Sequence, residues 1–271
     1  LLRKSDVSLS ISIIFSFLLI LGILARLAIR PQLITYIFII LLIYILLNYE
    51  GKKNIYIYVP LMFLIWGNMH MGVILGMSIF ILFIVAKIIG NKTAYRNINK
   101  KEKNPEIKYL LIAFLFSIVA LLINPNFLNT YIYAFSHTQM DMLEHINEWK
   151  SPLRAESLSY YYIKIYIFFL ITGLIIVFYS IKRKEYFPML IYLGIGIYSL
   201  QSMRFVADFM LAVFVFIILA SDFFLNKFKF RKFINSIAAK VILSILLIFT
   251  IISSYNNSFY TNFLYNKSAG I

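Results

Sequence analysis

Six residues of this 271-residue chain stand out for what their side chains could do: Arg30, Asn68, His70, Glu148, Trp149 and Arg204. A planar guanidinium such as Arg30 or Arg204 can bind two phosphate oxygens at once. A carboxylate or imidazole nearby, here Glu148 or His70, can take a proton from a hydroxyl. Asn68 and Trp149 would add an amide and an aromatic face for a bound group. Each also has a plainer role. Arg26 and Arg30 end a helix, where reaching to lipid headgroups is the ordinary use of arginine; Pro31 fixes Arg30 at a defined turn and makes it the better ligand of the two. Asn68 and His70 could serve only to hydrogen-bond the open backbone of a helix break. Arg204 has Asp208 one helical turn later, so an i,i+4 ion pair between them is the structural alternative to a phosphate ligand. Trp66 and Trp149 suit the membrane–water interface.

Other chemistry is excluded or unexpected. The chain has no cysteine, so it forms no disulfide and has no thiolate nucleophile. Its three histidines, His70, His137 and His145, include no pair at helical i,i+3 or i,i+4 spacing, so no metal site is expected. No glycine-rich phosphate loop is visible and no cofactor is expected.

The elements that must position these residues are membrane helices. Apolar residues make up 62% and charged residues 14% of the chain, and the mean hydropathy is +0.85. A soluble domain is nearer half apolar and a quarter charged. The run from Ile55 to Gly90 is almost unbroken in its apolarity. As one straight helix it would extend about 54 Å against a hydrocarbon core of roughly 30 Å. It has to turn back, and the polar Asn68 and His70 between Gly67 and Gly72 mark the break. A second run, Pro188 to Phe224, repeats the design with Gln201–Phe205 and Asp208 at its middle.

Nine candidate passes follow: Val7 to Ala25, Gln32 to Asn48, Ile55 to Trp66, Met71 to Ile89, Lys108 to Ile123, Tyr160 to Ile181, Phe187 to Leu200, Phe205 to Phe224 and Phe233 to Ser253. The expected fold is an all-α polytopic transmembrane bundle of about nine segments, including the two broken or hairpin pairs. The whole of 1–271 reads as one integral membrane domain, with 124–159 as an external interfacial loop. That loop opens on the helix stop Asn124-Pro125-Asn126 and continues as an amphipathic helix over Phe127 to His137. Leu1 is not a start residue, so a fragment lacking the first helix and first external loop is expected.

Net charge is +15, yet its distribution argues against nucleic acid. With each broken run counted as two crossings, only Arg26, Arg30, Lys150, Arg154, Lys164, Arg204 and Lys267 of the 26 Lys and Arg fall on the external face. The other 19 fall on the cytoplasmic face, as positive-inside orientation and anionic membrane lipids require. The histidines, tryptophans and most loop acids then share the external face.

In this setting the chain resembles bacterial polytopic glycosyltransferases of the GT-C type, distant relatives of protein mannosyltransferases and the aminoarabinose transferase. Five segments carry the resemblance in order: Arg30-Pro31 with Leu33-Ile34-Thr35-Tyr36, Trp66-Gly67-Asn68-Met69-His70, Asn124-Pro125, Glu148-Trp149-Lys150-Ser151-Pro152, and Arg204-Phe205. Two departures stand beside it. Met71-Gly72 replaces the family's Gly-Gly, and nothing before Arg26 matches the acidic first external loop that supplies the family's catalytic residue. The resemblance implies sugar transfer from a polyprenyl-phosphate donor at the external face of the bacterial cytoplasmic (inner) membrane. It implies Arg30, Asn68, Trp149 and Arg204 as substrate-binding residues, and His70 and Glu148 as catalytic candidates in place of the missing base. Two other classes stay open on the residues alone: a transporter or lipid flippase using the broken helices, and a non-catalytic assembly protein.

Overall fold

A computed structural model describes residues 7–24, 26–27, 30–51, 53–95, 105–137 and 140–227. The ninth expected pass, Phe233 to Ser253, lies outside the described residues, as do Lys101 and Lys229, which the charge pattern assigns to the cytoplasmic face. Within them the structure is all-helical: α1 (Leu9–Leu24), α2 (Gln32–Leu47), α3 (Ile55–Met69), α4 (Val73–Tyr95), α5 (Pro105–Leu122), α6 (Asn129–His137), α7 (Tyr161–Arg183), α8 (Tyr186–Ser199) and α9 (Val206–Lys227).

Among the described residues three helical stretches are long and apolar enough to cross a membrane: Val73–Gly90, Tyr161–Arg183 and Met203–Leu225. The other apolar helices, such as α1, α2, α3 and α8, have 14 to 16 residues. At 1.5 Å per residue they extend about 21–24 Å, short of the hydrocarbon core. The architecture is compatible with an integral membrane protein built around a few full-length helices.

The bundle is centred on α9. Of its Met203–Leu225 stretch 72% is buried, against 44% and 39% for the other two long stretches. It packs against α1, α2, α7 and α8, while α3 packs on α5 and α4 on α8. Aromatic rings fill the seams. Trp66 is fully buried, stacked between Phe38 at 5.3 Å and Phe63 at 5.9 Å, and Phe63 continues onto Phe80 at 6.3 Å. Trp66 is therefore a core residue, where the sequence suggested an interfacial one, because α2 covers the face that a free helix end would have shown to headgroups.

Both expected breaks form. His70 leaves α3 in extended conformation (φ −158°, ψ 140°), and α4 restarts at Val73. Asn68 Nδ2 donates to Leu64 O at 2.8 Å and to Ile123 O at 2.9 Å, satisfying carbonyls at the adjoining ends of α3 and α5. After α8, Ser202 is extended (φ −151°, ψ 140°) and its hydroxyl accepts from Arg204 N at 3.1 Å, capping the one-turn 3-10 helix Met203–Phe205 that leads into α9. The connection from α5 to α7 contains α6, whose Ile132, Tyr133 and Phe135 are exposed, and short 3-10 turns at Asp141–His145, Asn147–Trp149 and Ser157–Ser159.

Candidate functional site

The two breaks and the 147–151 turn meet at one end of the bundle, held by hydrogen bonds. Ser202 Oγ donates to Glu148 O at 2.7 Å, Met203 N to Lys150 O at 2.9 Å, and Ser151 Oγ to Leu200 O at 2.8 Å. Three bonds over so few residues fix Trp149 against the start of α9. Its ring meets Phe205 edge-on at 6.1 Å, and the Arg204 guanidinium lies 5.2 Å from its centre. Gln32 of α2 reaches the Arg204 carbonyl at 3.4 Å. No ion pair joins Arg204 to Asp208; of the two roles the sequence left open for Arg204 the i,i+4 pair does not form, and the guanidinium stacks on Trp149, because the 3-10 turn Met203–Phe205 places Arg204 before the regular turns of α9. Asp208 is buried, and its Oδ1 has no hydrogen-bond partner.

A cleft of about 1260 Å³ opens beside this junction. Its polar part is lined by Gln32, Thr35, His70, Trp149, Lys150, Arg154, Gln201, Ser202, Arg204 and Asp208. From Gly72 the lining continues along α4 through Ile74, Leu75, Ser78, Ile81 and Leu82, with Gly194, Ile195 and Tyr198 of α8 opposite. That apolar arm follows α4 for about 15 Å. Cations and aromatic rings thus sit at the junction, apolar residues extend from it along α4 and α8, and Tyr133, Phe135, Met140 and Leu143 add a further apolar wall.

His70 is held by a directed chain. Trp66 Nε1 donates to Thr35 Oγ1 at 3.1 Å; Thr35 Oγ1 lies 2.7 Å from His70 Nδ1; Gly72 N donates to the same Nδ1 at 3.0 Å. An amide N–H can only be received by a lone pair, so Nδ1 carries no proton, the Thr35 hydroxyl donates to it, and the ring proton of the neutral form resides on Nε2. Burial pushes the His70 pKa below the ordinary imidazole value, and the positive charge of Arg204 pushes it the same way.

Beside the cleft, Glu148 Oε1 receives Arg26 Nη1 at 3.0 Å and Arg30 Nη1 at 3.2 Å. Burial raises the Glu148 pKa, but the charge of Arg26 and the hydrogen bonds from Arg30 and Arg26 outweigh it, and the net shift is downward. The two arginines differ in depth. The Arg26 side chain is 8% exposed and that of Arg30 is 56% exposed. Arg26, which the sequence placed among the headgroups, is the buried member. Its Nη1 holds Glu148 while Nε and Nη2 have no partner.

Of the six residues singled out in the sequence, His70, Trp149 and Arg204 line the cleft together. Glu148 and Arg30 form the neighbouring ion cluster, and Asn68 is bound to two carbonyls. The sequence ranked Arg26 below Arg30 and assigned no role of their own to Thr35 and Gln32. Thr35 lies one turn after Arg30-Pro31 and is one of the few polar residues of α2, which is the signal that could have found it. Among the described residues no group of three or more His, Asp or Glu could hold a metal ion.

Comparison with known proteins assigns no family: no family model, no curated protein and no solved structure matches the chain.

Proposed function

We propose that this chain is a membrane glycosyltransferase-like protein whose cleft takes a polyprenyl-phosphate-linked sugar at the external face of the bacterial cytoplasmic membrane. The observation that carries this reading is the mixed lining of the cleft, which joins Arg204 on Trp149, His70, Lys150 and Arg154 to the apolar walls of α4 and α8. Such a shape suits an amphiphile with an anionic head and a long hydrocarbon tail. Arg204 would clamp the phosphate, its fork aligned by the indole beneath it. In transfer, an acceptor oxygen bonds to the sugar's anomeric carbon as the bond from that carbon to the phosphate oxygen breaks. The electron pair stays on the phosphate, where the guanidinium offsets its charge. The acceptor's proton needs a base. Glu148 is occupied by two guanidiniums, and Asp208 is the carboxylate that lines the cleft among the described residues.

The test is binding of decaprenyl phosphate to the purified full-length protein in nanodiscs. The wild type is expected to bind it in preference to decaprenol. Arg204→Lys should weaken binding about tenfold or more while the melting temperature holds, because a point charge cannot replace the fork. Equal binding of decaprenyl phosphate and decaprenol would overturn the reading.

A further inference from the structure

We propose that His70 is a fixed, neutral hydrogen-bond donor that delivers Nε2–H into the cleft, to an oxygen of a bound phosphate ester, and is not the proton acceptor of the reaction. The inference rests on the reading of the cleft as a lipid-phosphate site and assigns His70 the role opposite to that of a general base.

The argument lies in the directions of the hydrogen bonds. Gly72 N–H and Thr35 O–H both point at Nδ1, and Trp66 N–H occupies Thr35 Oγ1 from behind, so the threonine hydroxyl is turned toward the imidazole. Every group facing Nδ1 is thus a donor. A proton placed on Nδ1 would confront the Gly72 N–H with no acceptor and would force the Thr35 hydroxyl to turn away. The chain is also rigid. Trp66 is fully exposure-free between two stacked rings, and the space over Gly72 is filled by Thr35 and His70, so the imidazole cannot tilt to release Nδ1. Nε2, on the far side of the ring, has no hydrogen-bond partner among the described residues, and His70 lines the same cleft as Arg204. The charged neighbour felt by His70 is Arg204, a cation, and it opposes the imidazolium further.

A neutral N–H donor suits a ligand that is already anionic. It adds a directed bond to a phosphate oxygen without the desolvation cost of another buried charge. A base at this position would need a lone pair on Nε2, and the chain of donors gives that lone pair to Nδ1.

The experiment is nitrogen-15 NMR of the full-length protein, labelled at histidine, in nanodiscs, with His70 assigned by its loss in His70→Gln. His70 is expected as the Nε2–H tautomer at neutral pH, keeping that signature to lower pH than an ordinary histidine, which titrates near 6.5. Addition of saturating decaprenyl phosphate should shift the Nε2 signal and leave Nδ1 in place. Thr35→Val should move the Nδ1 signal by removing one donor and leave the Nε2–H tautomer in place, held by the Gly72 N–H. An Nδ1–H tautomer, or an imidazolium at pH 7, would overturn the proposal. So would an unmoved Nε2 signal while decaprenyl phosphate demonstrably binds, an outcome that leaves the cleft reading intact. If the wild type binds no decaprenyl phosphate, the cleft reading fails and this inference fails with it. In binding measurements His70→Gln, which retains an N–H donor, should stay within about threefold of wild type, and His70→Ala should lose about tenfold or more.

Discussion

At the scale of single residues, depth separates groups that the sequence presents as alike. Arg26 and Arg30 lie four residues apart between α1 and α2 and share one carboxylate oxygen, yet only Arg26 is buried. Removing the carboxylate strands a buried guanidinium, whereas removing Arg30 takes away an exposed partner. Glu148→Gln is therefore expected to destabilise by about 1–3 kcal/mol, a figure reduced from that of a fully buried pair because Glu148 is itself partly exposed. Arg30→Gln should cost under about 1 kcal/mol. Melting temperatures of the two variants in one detergent check the ordering. The pH dependence follows from the downward shift of Glu148. A carboxyl with a lowered folded-state pKa contributes stability above its ordinary pKa of about 4.3 and loses it as pH falls through the lower folded value. Wild type should thus lose stability on acidification below about pH 4, and Glu148→Gln should lose less over that range. The sequence could not rank the two arginines, because the ranking is set by a loop 118 residues away from Arg30 in the chain. It did indicate His70 and Arg204, since polar side chains in apolar runs are costly enough to be conspicuous; Trp149 was singled out by the resemblance instead.

At the scale of elements, the breaks were legible and their contents were not. Length alone required the run from Ile55 to Gly90 to turn back, and Gly67, Asn68 and His70 were the polar and flexible residues available for it. What the turn does depends on α2, which brings Thr35 to His70 across 35 positions of sequence. Gly72 is where the two helices and the imidazole come closest. A Cβ there would press on Thr35 and lie 2.9 Å from His70 Nδ1. Gly72→Ala is expected to cost about 1–3 kcal/mol by overpacking and to displace the imidazole from its hydrogen bonds. Gly90→Ala is the control, since nothing lies within 4 Å of a Cβ at that site and alanine favours a helix interior by roughly 0.5–1 kcal/mol. A lower melting temperature for Gly72→Ala beside an unchanged or higher one for Gly90→Ala confirms the close approach; equal values would show that the turn can relax. The 3-10 turn at Met203–Phe205 was equally hidden. An i,i+4 pattern reads as an ion pair only if the helix is regular between the two residues, and here it is not.

At the scale of the whole molecule, the helices sort the charged residues into two ends, which fixes a topology that can be tested. α3 runs from Lys53 to the His70 turn, and α8 runs from just after Lys184 to the break at Leu200. The His70 turn and the Leu200–Arg204 break share one cleft, and Lys150 is tied to the second of them by its carbonyl. Asn68, Lys150 and Gln201 therefore belong to one end, and Lys53 and Lys184 to the other. On the positive-inside rule we propose that the lysine-rich end is cytoplasmic and the cleft external. The chain contains no cysteine, so single cysteines can be introduced without background. Cysteine at positions 68, 150 and 201 is expected to react with a membrane-impermeant maleimide applied to intact cells. Cysteine at 53 and 184 should react only after the membrane is opened. Position 68 is the most demanding of these, because its native amide bonds two carbonyls and the variant must first be shown to fold. Labelling of 150 and 184 from the same side would break the two-ended arrangement itself. Labelling of 53 and 184 from outside, with 150 and 201 protected, would keep the bundle but turn the cleft to the cytoplasm, where an external sugar-transfer reaction has no place.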